Sequence, residues 1–94
     1  MIKIEIGEPL VTVSIRISDS DGKTTEADWK NLALALKKGL AKIDERFEDI
    51  HYIDFFVRSR GDFDLEGSKE EVEAGIQVIK EITQAQNIEL EIGD

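Results

Sequence analysis

The spacing of apolar residues changes along this chain, and that change constrains the fold more than any other feature. Ile2, Ile4 and Ile6 alternate with Lys3 and Glu5. After an interruption at residues 7–9 the alternation resumes, with Val11, Val13, Ile15 and Ile17 set against Thr12, Ser14 and Arg16. A repeat of two puts every apolar side chain on one face of a strand. The two segments read as an antiparallel hairpin, or as one strand broken by a bulge at Gly7. Residues 19–23 are a turn by composition, and Gly22 there can take a positive φ.

The spacing then becomes three to four. Trp29, Leu32, Leu36, Leu40, Ile43 and Phe47 make one continuous stripe, which predicts a single amphipathic helix. Thr24 or Thr25 can cap its start, Glu26 and Asp28 suit its first turn, and Lys37, Lys38 and Lys42 complement the dipole at its far end. Residues 50–58 are apolar on both sides, with Ile53, Phe55 and Val57 in one set and Tyr52 and Phe56 in the other, flanking Asp54. That pattern predicts a central strand. The chain then turns at Arg60-Gly61 and returns as a short strand with Phe63 and Leu65 inward. Ser68 and Glu71 form a capping-box pair opening a second helix, which buries Val72, Ile76, Ile79, Ile82 and Thr83. Asn87 stops that helix, and Ile88, Leu90 and Ile92 alternate with Glu89 and Glu91 in a last strand.

Ninety-four residues make one domain, 1–94. The apolar sets are all buried by an α+β two-layer sandwich, with two helices on one face of a four- or five-stranded, mostly antiparallel sheet. The element order is β-β-α-β-(β)-α-β. With the short return strand counted, residues 10–92 follow β-α-β-β-α-β and resemble the ferredoxin-like order. In that order the strand at residues 10–18 is central, with both edges taken, and the strand at residues 2–6 loses its hairpin partner there.

The composition removes several functions. Without cysteine there is no disulfide framework, thiol nucleophile, iron–sulfur cluster or thiolate zinc site. No apolar run has the length of a membrane span, and the N-terminal residues lack the features of a signal peptide, so a cytoplasmic location without membrane partners is expected. Charge is distributed unevenly. Residues 1–60 carry 10 Lys/Arg against 11 Asp/Glu, whereas residues 61–94 carry Lys69 and Lys80 against ten acids, so a net of -8 out of -9 sits in the last third. Such a field attracts cationic partners and repels polyanions.

Candidate chemistry is sparse. His51 is the only histidine, with Asp49 and Asp54 near it in sequence, and no serine stands in a nucleophile-elbow context. It reads as a surface residue, and neither a catalytic residue nor a cofactor is expected. Asp62, Asp64 and Glu66 project to one side if extended, which suits hard divalent cations, although acids flanking inward Phe63 and Leu65 also describe an exposed strand face. Asp19, Asp21 and Gly22 resemble part of a calcium loop, but Ile17 stands where an acid is needed. Arg60-Gly61-Asp62 matches an adhesion tripeptide and reads as a turn. RNA recognition motifs place aromatics on a sheet, yet Asp54 lies between Tyr52 and Phe56 here, and the one basic group, Lys30, Lys37, Lys38 and Lys42, is offset by Glu26, Asp28, Asp44 and Glu45. The glycine-rich phosphate loop of acylphosphatases is missing as well.

Two surfaces remain. Tyr52 and Phe56 beside Thr12, Ser14 and Arg16, with Arg16 set against Asp54, would give the outer sheet face an aromatic and polar self-association site for a homodimer. Glu70, Glu73 and Glu81 lie on the second helix away from its apolar stripe, and with Asp62, Asp64 and Glu66 they make an acidic docking surface. The leading expectation is a non-enzymatic module that binds a basic protein surface, as an inhibitor, immunity protein, antitoxin or nucleic-acid mimic does, with no direct nucleic-acid contact. The alternatives are a divalent-metal-dependent enzyme or sensor built on Asp62, Asp64 and Glu66, with or without His51, and a designed scaffold without biochemical function.

Overall fold

The structure is a computed structural model that describes residues 1–8 and 12–93. Leu10 and Val11, the start of the second alternating segment, and Asp94 of the acidic end lie outside the described residues. The elements are β1 (Ile2–Ile6), β2 (Thr12–Asp19), α1 (Glu26–Leu40), a 3-10 helix (Glu45–Asp49), α2 (Tyr52–Arg58), β3 (Arg60–Glu66), α3 (Lys69–Ala85) and β4 (Glu89–Ile92). The strands form one sheet in the order β3-β2-β1-β4. β1 and β2 form the antiparallel hairpin, β2 and β3 pair antiparallel, and β1 and β4 pair parallel. The sheet is therefore mixed but mostly antiparallel, and the α+β two-layer arrangement holds.

The register explains the core. Ile4 stands opposite Ile17 and Leu90, Ile6 opposite Ile15 and Ile92, and Val13 opposite Leu65. Because side chains alternate, these residues share the inner face. There Ile4, Ile6, Val13, Ile15, Ile17 and Leu65 meet Trp29, Leu32, Leu36 and Leu40 of α1 and Val72, Ile79 and Ile82 of α3 in one buried cluster, with Leu90 half-buried against it and Ile92 exposed at the end of β4. Thr25 caps α1 through a box with Asp28, and Ser68 caps α3 through a box with Glu71. Gly39 lets the two helices approach: a Cβ there would overlap the Val78 side chain.

Three expectations are corrected. The stripe from Trp29 to Phe47 is not one helix, because α1 ends at Leu40 and residues 41–43 turn. Asp44 then takes an extended backbone (φ -141°, ψ 111°) and its side chain accepts from the Arg46 N–H, starting the 3-10 helix that delivers Phe47 to the core. Residues 50–58 do not form a central strand. Residues 52–58 are helical, with half-buried Tyr52 and Phe55 on one side and exposed Ile53, Phe56 and Val57 on the other. A short run that is apolar on both faces fits a helix as well as a strand. Finally, the turn falls at Ser59 (φ 55°), so Arg60-Gly61-Asp62 begins β3 rather than a loop. The place next to β2 is taken by β3, and the element order is β-β-α-α-β-α-β with the 3-10 helix between the first two α-helices.

Candidate functional site

The sheet has a helix side and an open side. Thr12, Ser14, Arg16 and Ser18 of β2 alternate with its buried residues and point to the open side. By register the same side carries Lys3 and Glu5 of β1, Glu89 and Glu91 of β4, and Arg60, Asp62, Asp64 and Glu66 of β3. Six carboxylates thus share this face with three cations. Two of the cations are engaged within it: Lys3 Nζ lies 2.7 Å from Glu91, and Arg16 Nε lies 3.5 Å from Asp62. The Lys3 ammonium holds the Glu91 carboxyl below its ordinary range, and Glu91 raises Lys3 in return. Ser14 Oγ donates to Asp64 at 3.2 Å. At the rim, Arg46 binds Asp44 through Nε at 2.8 Å and reaches Glu66 at 3.7 Å.

The backbone of β3 is as informative as its side chains. Gly7 N–H donates to the Ser14 carbonyl (2.8 Å) and Asp19 N–H to the Ser59 carbonyl (3.2 Å). In an antiparallel ladder the direction of these groups alternates. Val13, Ile15 and Ile17 therefore bond to Leu65, Phe63 and Gly61, while Asp62 and Asp64 turn their N–H and C=O groups away from β2. No backbone partner meets them among the described residues. A cleft of about 360 Å³ lies against this edge. Phe47, Ile50, Phe55 and Phe63 give it apolar walls, the rings of Phe47 and Phe63 packing edge to face at 4.9 Å, and Arg46, His51, Asp54, Asp62 and Asp64 supply its polar lining.

Gly61 is needed where it stands. A Cβ there would run into the Phe55 ring, which lies across the strand and 6.2 Å from the Trp29 ring. This contact docks α2 on the helix side of the sheet. Tyr52 goes with it, and the Lys30 ammonium sits 5.8 Å from its ring centroid. The expected gathering of Tyr52 and Phe56 beside Arg16 is thus corrected: Arg16 is on the open face, the two aromatics are on α2, and Arg16 pairs with Asp62 rather than Asp54. The open face carries charges and small polar groups instead of aromatics.

The acidic residues also divide. Asp62, Asp64 and Glu66 lie on the open sheet face, whereas Glu70, Glu73 and Glu81 are exposed on the outward side of α3, in the other layer. They form two acidic surfaces, not one. His51 is exposed at the N-terminal cap of α2 and makes no side-chain capping bond. Among the described residues no three His, Asp or Glu side chains come together closely enough to hold a metal ion, so Asp62, Asp64 and Glu66 do not converge with His51 as ligands. The larger groove, about 730 Å³, runs between α1 and the end of α3 past Lys23, Asn31, Lys38 and Gln86. Among the described residues no helix is long and apolar enough to cross a membrane. Comparison with protein-family models, curated proteins and solved structures finds no match.

Sequence patterning identified the acids but missed the cleft. Phe47 and Ile50 come from the 3-10 helix and its C-terminal cap, Phe55 from α2 and Phe63 from β3, and their meeting depends on the break after Leu40 that hydrophobic spacing concealed.

Proposed function

We propose that this protein is a non-enzymatic interaction module that binds a basic protein surface through the open face of its sheet, in the manner of an inhibitor, an immunity protein, an antitoxin or a nucleic-acid mimic. One observation carries the reading: among the described residues, a sheet face without a covering helix holds six carboxylates against three cations, two of them paired within the face, with Arg46 reaching Glu66 at its rim. An excess of fixed negative charge on an accessible face speeds and orients the approach of a cationic partner, and selects against nucleic acid. A cytoplasmic location belongs to this reading.

The test is affinity capture of partners at about 0.05 M and about 0.3 M salt, which spans strong and weak screening. Two variants accompany the wild type, Asp62→Lys/Asp64→Lys/Glu66→Lys on the sheet and Glu70→Lys/Glu73→Lys/Glu81→Lys on α3. A basic partner should be held at low salt, released at high salt, lost by the sheet variant and kept by the helix variant. The reading fails if no salt-sensitive basic partner is captured, or if reversal on the sheet leaves capture intact.

A further inference from the structure

The free edge of β3 offers more than charge. Asp62 and Asp64 present both their backbone hydrogen-bonding groups and, on the open face, their carboxylates to whatever lies alongside. A strand laid against this edge would satisfy those backbone groups, and its side chains would alternate between two environments. Those on the open face would stand beside Asp62, Asp64 and Glu66. Those on the other face would point toward the cleft walled by Phe47, Ile50, Phe55 and Phe63. Complementarity therefore demands cations at every second position and apolar groups between them.

We propose that the β3 edge binds an extended basic segment of a partner by strand addition, the segment alternating Lys or Arg with apolar residues. This deepens the proposed function and rests on it, since the partner's positive charge is the shared premise. A second copy of this chain is a poor occupant. Antiparallel pairing of two β3 strands sets acids against acids, and like charges directly opposite one another are destabilising.

The probe is the blocked peptide Lys-Val-Lys-Val-Lys-Val-Lys, titrated into the isotopically labelled full chain while backbone amide spectra and hydrogen exchange are followed. Two control peptides keep its charge, one N-methylated on the lysines and the other on the valines. The Asp62 and Asp64 amides should shift and exchange more slowly with the parent peptide. N-methylation of the set that faces β3 should weaken binding by about tenfold, the effect of losing a few backbone hydrogen bonds. Asp62→Lys/Asp64→Lys should abolish binding, and Glu70→Lys/Glu73→Lys/Glu81→Lys should not. If both N-methylated peptides bind as tightly as the parent, strand addition is wrong while the acidic-face reading stands. If the parent peptide does not bind even at low salt, or binds on α3 instead, both are wrong. Protection of Asp62 and Asp64 that grows with protein concentration without peptide would assign the edge to a second copy and overturn the proposal.

Discussion

Asp19 shows how much one side chain can organise. Its carboxylate is 2% exposed and accepts from the N–H groups of Gly22 and Thr24 at 3.2 and 3.0 Å, and from the Met1 ammonium at 3.0 Å. Burial pushes this carboxyl up, but the Thr24 N–H and the ammonium outweigh it and leave the group well below the ordinary carboxylate range. The calcium-loop fragment in the sequence is thus a turn held by Asp19 itself. Asp19→Ala should destabilise the fold by about 1–3 kcal/mol, the usual consequence of leaving such donors unpaired. Because the folded value is depressed, the stabilisation is complete above the unfolded value near pH 4 and declines as pH falls toward the folded one. Denaturant midpoints of wild type and variant should therefore differ most near neutral pH and converge in acid. At Gly61 the constraint is steric rather than electrostatic. Gly61→Ala should displace Phe55 and cost about 1–3 kcal/mol, and fluorescence of the single tryptophan, Trp29, reports the shift directly.

At the scale of elements, the most instructive segment is residues 50–58. Their two apolar sets do not distinguish the two periods, because the observed seven-residue helix and the expected strand over residues 50–58 both accommodate them. The decision is tertiary: Phe55 packs over Gly61 against Trp29, and β3 occupies the position beside β2. Val57 is left 74% exposed and Ile53 54% exposed. Val57→Glu should change stability by no more than about 0.5 kcal/mol, as exposed substitutions do, whereas a central strand position would not tolerate it. Thermal unfolding of that variant separates the two. The elements whose ends are written locally were legible. Ser68 and Glu71 cap α3 as the S-x-x-E spacing predicts, and Ser68→Ala should cost about 1 kcal/mol. The strands at residues 2–6, 12–19 and 89–92 follow from alternation, while the choice of a hairpin over one strand bulged at Gly7 comes from the antiparallel pairing of β1 with β2. The break after Leu40 was not legible, because Ile43 and Phe47 keep the helical spacing while reaching the core by another route.

For the whole molecule, the uneven charge of the sequence becomes two acidic surfaces on opposite layers, joined at the β3–α3 connection. The acids themselves were legible from the sequence, but their division was not, since it depends on which face of β3 each residue takes. The functional reading depends on β3 being a true edge strand, with Asp62 and Asp64 facing outward along the backbone as well as along their side chains. Amide hydrogen exchange of the free protein, corrected for intrinsic rates, measures this most directly. The expected result is alternation: slow exchange at Gly61, Phe63 and Leu65, which bond to β2, and fast exchange at Asp62 and Asp64. Uniform protection along residues 61–65 would mean that another segment already covers the edge, and would contradict both the open strand and the binding mode built on it.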